Sequence, residues 1–139
     1  MTNPKLDEVR SWLLKARQDL DAAAWLLASP HALYGVAGFH SQQAAEKVLK
    51  AYLTWQEHSF EKTHSLVALV GMCLNFSRDF DALRYAATML TPFAVTTRYP
   101  GDLPDISPQE ARDTLDQANL IWDFVLARLP EEVHIPKDG

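Results

Sequence analysis

The chain has 139 residues, of which 47% are hydrophobic and 22% charged, and this size and balance suit one globular domain with a packed core. A formal net charge of −5 excludes the broadly basic surface of a general nucleic-acid or anionic-membrane binder. Neither a run of roughly 18 apolar residues nor a secretory signal is present, so we expect a cytoplasmic protein without membrane contact.

Two long helices are predicted first. Asn3 can cap the first helix, and Pro30 ends it because the residue before a proline resists helical backbone angles. The second helix is predicted over about residues 31–56. Gly35 and Gly38 near its start each cost about 1 kcal/mol relative to alanine, which the close approach of another helix would explain. Apolar residues repeat every three or four positions on both helices: Leu6, Val9, Leu13, Ala16, Leu20, Ala23 and Leu27, then Ala37, Ala44, Val48, Ala51 and Trp55.

Three shorter or later helices follow. Thr63 is the predicted N-cap of a third helix that extends to about residue 76, and Pro92 strains or ends the fourth. Residues 95–107 contain two prolines and a glycine and indicate an irregular connection. Ser107 and Glu110 form a capping box at the start of the fifth helix. The core stripes of the last two helices are Phe80, Leu83, Ala87 and Leu90, then Ala111, Leu115, Ala118, Trp122, Val125 and Leu129.

No segment alternates polar and apolar residues with the period of a strand, so the sequence predicts an all-α protein. Long helices with short links indicate an up-and-down antiparallel bundle of about five helices. Residues 1–130 form its single domain, and residues 131–139 form a loose C-terminal tail. Trp12 and Trp25 lie outside the stripe of the first helix, where they either form an oligomer contact or widen the monomer core.

The residues most often used in catalysis have ordinary structural explanations. Cys73 lies in an apolar helix, where a thiol is normally inert packing. His40 falls on the buried side of the second helix and is expected to be a hydrogen-bonded core residue. His64 follows the predicted cap at a helix start, so capping or tethering of a helix is favoured over ligand binding. Since the sequence has no zinc-ligand spacing, phosphate-binding glycine loop or nucleophile elbow, no metal and no cofactor are predicted.

A polar stripe accompanies the core residues of the second helix. Gln43, Glu46, Lys47 and Lys50 share one face because they fall at i, i+3, i+4 and i+7. The favoured interpretation is a solvated face, on which Glu46 and Lys50 form an i,i+4 pair worth about 0.2–0.5 kcal/mol. The alternative is that Lys47 and Lys50 supply positive potential to a cleft, together with Arg98.

The segment Arg98-Tyr99-Pro100 follows the fourth helix. Arginine suits phosphate or carboxylate recognition because its planar guanidinium donates two parallel hydrogen bonds. Tyr99 can stack on a base or pack against the fifth helix. The sequence therefore leaves two roles open for this segment: it anchors the loop, or it contacts a ligand.

These segments, taken in order, resemble a prokaryotic HEPN domain (higher eukaryotes and prokaryotes nucleotide-binding). The resemblance implies a helical bundle that usually forms a homodimer. Small prokaryotic members are often encoded beside a minimal nucleotidyltransferase and act as its toxin or accessory partner. The matching pieces extend from about Val9 to Leu129 and are Ala16-Arg17-Gln18-Asp19-Leu20, residues 42–51, Thr63-His64-Ser65-Leu66, Arg98-Tyr99-Pro100 and Glu110-Ala111 through Ala118.

The resemblance also implies a test for enzymatic activity. Many HEPN proteins are metal-independent ribonucleases in which a histidine follows an arginine after four to six residues. The arginine binds the phosphate and the histidine acts as general acid and base on the ribose 2′-hydroxyl. Only Arg128 and His134 match that spacing, and because a proline interrupts them we interpret the match as chance. Three other arginines have no histidine at that spacing: Arg78, Arg84 and Arg98.

The leading hypothesis is therefore a non-catalytic, dimeric HEPN accessory protein that binds a minimal nucleotidyltransferase, a nucleotide or both. One alternative is a toxin-type ribonuclease with a degenerate motif, in which Arg98, Tyr99 and His64 act across the dimer. Another is a stand-alone nucleotide-binding module. The predicted contacts to a nucleotide or RNA are Lys47, Lys50, His64, Arg98 and Tyr99.

Overall fold

A computed structural model describes residues 3–31, 33–94 and 104–135, and within these ranges it contains helices and no strand. The all-α bundle of about five helices is therefore confirmed. None of the helices in these ranges is long and apolar enough to cross a membrane. The helices are α1 (Pro4–Ala28), α2 (Tyr34–Trp55), α3 (Leu66–Cys73), α4 (Arg84–Leu90) and α5 (Pro108–Leu126). Short 3-10 turns occupy Arg78–Leu83, Thr91–Phe93 and Glu131–Val133.

The first and last helices begin where capping chemistry predicts. The Asn3 side chain accepts the backbone N–H of Lys5 at 3.0 Å, which satisfies one of the unpaired donors at the start of α1. At the start of α5, Ser107 Oγ accepts the N–H of Glu110 at 3.1 Å, and the Glu110 carboxylate accepts the N–H of Ser107 at 3.1 Å. Both predicted caps are confirmed.

The start of α3 differs from the prediction. The N-cap is Ser65, whose hydroxyl accepts the N–H of Ala68 at 3.1 Å. Thr63 instead accepts the N–H of Ser65 at 3.2 Å in a turn that precedes the helix. The prediction of Thr63 as the cap is therefore wrong by two residues, because the hydroxyl that accepts a helical N–H belongs to Ser65.

The helices α1 and α2 form an antiparallel pair at the centre of the fold. Lys5 at the start of α1 lies 3.5 Å from Glu57 and 4.2 Å from the ring centroid of Trp55, at the end of α2. In the other half of the pair, Asp19 of α1 contacts His40 of α2 at 2.9 Å. Contacts at both ends therefore show that α1 and α2 keep one register along their shared length.

The remaining elements close around α2. The ring of Phe80, in the turn before α4, packs against Tyr52 of α2 and Phe124 of α5, with centroid separations of 4.6 and 5.1 Å. The turn after α4 returns to the start of α2, where a Cβ added to Gly38 would lie 2.5 Å from the Phe93 ring. The close approach predicted for this glycine is confirmed, although the approaching group is an aromatic side chain rather than a helix.

The apolar stripes predicted from periodicity make up the core. All members of the α1, α4 and α5 stripes are buried or half-buried, although Phe80 and Leu83 belong to a 3-10 turn rather than to α4. Trp12 is half-buried and packs edge-on against Phe60 at 5.9 Å, so it belongs to the monomer. Trp25 is 79% exposed and covers none of the core.

The C-terminal segment is not a loose tail over its described part. Val133 is fully buried within the core, and Arg10 of α1 donates to the carbonyl of Glu132. These contacts hold Glu132 and Val133 against the bundle, while the predicted domain end at residue 130 stays a prediction.

Candidate functional site

The polar stripe on α2 is not a solvated face. The side chains of Glu46 and Lys50 are 3% and 7% exposed, and Lys50 Nζ donates to Glu46 Oε2 at 2.9 Å. The prediction of an ordinary surface pair is therefore wrong. It failed because α1 and the segment before α3 cover this side of α2, a contact that the periodicity of α2 alone does not contain.

The buried carboxylate of Glu46 organises a larger hydrogen-bond network. His64 Nδ1 lies 3.2 and 3.1 Å from the two carboxylate oxygens, and Gln42 Nε2 lies 3.4 Å from Oε1. Gln42 also donates to the backbone carbonyl of His64 at 3.4 Å. We call Gln42, Glu46, Lys50 and His64 the Glu46 network. It ties the residues before α3 to α2, so the predicted tethering role of His64 is confirmed.

Two aromatic rings enclose the Lys50 end of this network. The ammonium lies 5.5 Å from the ring centroid of Trp12 and 5.6 Å from that of Phe60, distances at which the ring faces attract a cation. Together with Glu46, these rings surround the charge. Lys50 was predicted to contact a ligand, and in this structure its side chain is 7% exposed and paired with Glu46.

A second carboxylate cluster lies on the neighbouring side of α2. Asp19 of α1 is buried, and its two oxygens contact His40 Nδ1 at 2.9 Å and Lys47 Nζ. The hydrogen-bonded state predicted for His40 is confirmed, and its ring is half-buried. Lys47 is the most accessible predicted cation on α2, but Asp19 neutralises it locally.

Both clusters share a chemical arrangement in which a carboxylate contacts imidazole Nδ1. When the imidazole is neutral, Nδ1–H donates to the carboxylate and Nε2 is left as the acceptor. Such pairs occur in general-base and metal sites. In the described part of the chain, however, no three His, Cys, Asp or Glu residues group to hold a metal ion. The His64 ring is 68% exposed, so its outer edge is the most accessible titratable group of the Glu46 network.

The arginine and histidine that match the ribonuclease spacing have separate structural partners. Arg128 lies 3.5 Å from the Phe124 ring centroid and donates to the Phe124 carbonyl at 2.9 Å. His134 Nε2 lies 3.0 Å from the carbonyl of Leu129. These contacts give both residues a packing role. The other predicted contacts, Arg98 and Tyr99, lie outside the described residues and stay predictions.

Burial disfavours the single cysteine as a nucleophile. Cys73 is fully buried at the end of α3, and burial raises the pKa of its thiol to about 12 from 9.0. The thiolate is therefore disfavoured at neutral pH. Because the folded pKa is the higher one, the associated stability is present below pH 9 and is lost as the pH rises towards 12.

Replacing His64 with alanine is expected to loosen α3 without unfolding the protein. The variant loses the bond to Glu46, which retains Lys50 and Gln42, so the free energy of unfolding should fall by about 0.5–1.5 kcal/mol. Amide hydrogen exchange should accelerate in residues 65–70 more than in α1. His31→Ala is a suitable control because His31 is exposed at the surface, and equal effects of the two substitutions would contradict the tether.

Several side chains that complete these clusters were not predicted from the sequence. Asp19, Trp12 and Phe60 come from α1 and from the segment before α3, and no local pattern links them to the polar residues of α2. Gln42 was detectable in principle, since it lies one turn before Glu46.

Comparisons with known proteins agree with this architecture. The sequence model of the HEPN domain matches residues 9–131. The structure is similar to that of TT1696 from Thermus thermophilus, with 30% sequence identity and a TM-score of 0.73, over 88% of this chain and 98% of that chain. It is also similar to ST0689, an archaeal HEPN homologue, with 22% identity and a TM-score of 0.67, over 87% and 97% of the two chains. No curated protein matches the sequence.

Proposed function

Since the chain belongs to the HEPN domain family, we propose that it is a non-catalytic HEPN accessory protein that binds a minimal nucleotidyltransferase and does not cleave RNA. The observation that carries this proposal is the pairing of the candidate cations. Lys47 and Lys50 each contact a buried carboxylate, Asp19 and Glu46 respectively.

This pairing disfavours phosphate chemistry on α2. Cleavage of RNA needs an available cation at the phosphate beside a general acid or base at the 2′-hydroxyl. Because Asp19 and Glu46 neutralise the two lysines, these pairs offer an incoming phosphate little net positive charge. The Arg128 and His134 pair is engaged elsewhere, at the far end of α5. A nucleotide, if bound here, has Lys47 and His64 as its accessible contacts.

One observation favours the ribonuclease alternative. The exposed His64 ring is oriented by the Glu46 carboxylate through Nδ1, as a general base requires. That alternative needs a cation from Arg98, which lies outside the described residues.

RNA cleavage distinguishes these proposals. Purified protein incubated with tRNA in EDTA should give no cleavage above a buffer control, and it should form a complex with a minimal nucleotidyltransferase from the same genome on co-expression. Cleavage that is lost in both Arg98→Ala and His64→Ala, but kept in Lys62→Ala, would overturn the non-catalytic proposal. The lysine variant controls for a general loss of positive charge and for contaminating nucleases.

A further inference from the structure

The 3-10 turn before α4 sorts its side chains with a period of three. Side chains three residues apart eclipse one another in a 3-10 helix, and in this turn Phe80 and Leu83 form the fully buried row. A second row is polar and exposed, and its members are Asn75, Arg78, Asp81 and Arg84. We call it the arginine row. All four of its side chains line one open cavity of about 530 Å³.

The backbone beneath the arginine row is held in place. The ring of Phe80 packs between aromatic rings of α2 and α5, and Ser77 Oγ accepts the N–H of Asp79 at 3.3 Å where the turn begins. The carboxylate of Asp79 lies 3.5 Å from Arg128, so this neighbouring acid is already paired. The arginine row therefore projects from a turn that is anchored on the core, as a binding site requires.

The arginine row offers guanidinium nitrogens that no described residue engages. Arg78 makes no hydrogen bond or ion pair within the described part of the chain. Arg84 donates through Nε to Asp81, which leaves its two terminal nitrogens as donors for an anion. Two arginines and one aspartate give the described lining a charge of +1, although the whole chain carries −5. This charge suits an anion that carries a single negative charge.

A smaller cavity between α3 and α4 adjoins the arginine row. It measures about 130 Å³, and we call it the α3–α4 cavity. Its described lining is Val67, Val70, Arg84, Ala87 and Thr88. An apolar cavity of about 150 Å³ holds benzene, so this one has room for a short branched alkyl group. Because Arg84 lines both cavities, a ligand that fills them must carry its negative charge close to that apolar group.

We propose that the arginine row and the α3–α4 cavity bind a carboxylate with a short branched alkyl group, to which Arg78 and Arg84 donate. A carboxylate has the single charge that the site balances, whereas a phosphate monoester has about 1.5–2 negative charges and would leave the excess facing Asp81. A phosphodiester has one charge, but polar sugars flank it in place of an alkyl group. The site uses no residue of the Glu46 network and does not depend on the proposed accessory function.

An NMR titration of the full-length protein with 4-methylpentanoate tests the proposal. Amide shifts should concentrate in residues 74–88. Arg78→Gln and Arg84→Gln should each weaken binding by about tenfold, because each removes a charge-assisted hydrogen bond. Acetate lacks the branched alkyl group and should bind at least about tenfold more weakly than 4-methylpentanoate.

Matched controls separate a specific site from general attraction of anions. Arg112→Gln removes an exposed arginine of α5 and should leave binding unchanged. The neutral 4-methylpentanamide has nearly the same shape and should not bind. Equal effects of Arg112→Gln and Arg78→Gln, equal binding of the amide and the acid, or no shift in residues 74–88 at about 20 mM acid would each overturn the proposal.

Two further ligands identify the source of the carboxylate and the competing chemistry. N-acetyl-leucine represents the C-terminus of a peptide, and 4-methylpentanoate represents a free branched acid. Both should bind, and the tighter of the two identifies the source. If 3-methylbutyl phosphate or a uridine oligoribonucleotide binds more tightly than both, and that binding is lost in Arg78→Gln, the site recognises phosphate and the proposal is overturned.

Discussion

Replacing Glu46 with alanine should lower the free energy of unfolding by about 3–5 kcal/mol, because the substitution leaves the buried ammonium of Lys50 without its counter-ion. The aromatic rings of Trp12 and Phe60 cannot compensate for a full charge in this position. Urea denaturation followed by circular dichroism measures the change. This is the largest effect we expect from a single polar substitution.

Two controls show whether burial causes that loss. Asp81→Ala breaks the exposed pair with Arg84 and should cost at most about 1 kcal/mol. The double substitution Glu46→Leu with Lys50→Leu should restore most of the stability, since an apolar pair needs no counter-ion. If Glu46→Ala costs no more than Asp81→Ala, Lys50 escapes to solvent and the enclosed pair described above is wrong.

Gly38→Ala should destabilise the protein by about 1–3 kcal/mol, because its new methyl group would overlap the Phe93 ring. The added Cβ would lie 2.5 and 2.6 Å from two ring carbons, so the ring must move. Gly71→Ala in α3 meets nothing within 4 Å and should instead stabilise the protein by about 0.4–1 kcal/mol. Thermal unfolding of the two variants gives the comparison.

A second substitution checks the cause. Combining Gly38→Ala with Phe93→Leu should recover part of the lost stability, because the smaller side chain leaves space for the methyl group. Helix propensity alone predicts that both glycine variants gain stability. A stabilised Gly38→Ala variant would therefore show that the Phe93 ring is not held against α2.

The fold was predictable because its determinants are local. Helix caps such as Asn3 and Ser107 act on backbone groups two or three residues away, and the apolar stripes repeat within each helix. The shift from Thr63 to Ser65 shows the limit of this approach, since either hydroxyl residue is a suitable cap and the local sequence does not select between them.

The candidate site was much less predictable because its contacts join distant parts of the chain. On a helical projection, Glu46 and Lys50 are indistinguishable from a solvated i,i+4 pair. Their burial depends on Trp12 of α1 and Phe60 before α3, which lie far from them in the sequence. The same holds for Lys47, whose partner Asp19 comes from α1.

The residues that resembled the HEPN domain have a structural explanation. Gln42, Glu46 and Lys50 of α2 and His64 before α3 form one hydrogen-bonded network. Their spacing therefore reflects how the chain fastens α3 to α2, and it carries no evidence of catalysis by itself. Recognition of the family and recognition of an active site are separate questions for this chain.

The enclosed Glu46 and Lys50 pair also bears on which packing the bundle can adopt. Apolar stripes on α1 and α2 would tolerate a slip by one turn, since leucine, valine and alanine recur at each step. A slip of α1 along α2 would leave the pair itself intact, because both residues belong to α2, but it would remove the Trp12 ring from the Lys50 ammonium. We therefore expect the contact between Lys50 and Trp12 to favour the observed register. The Glu46→Leu and Lys50→Leu double variant should remain stable yet show extra or broadened amide resonances by NMR, whereas a single sharp set would refute this role.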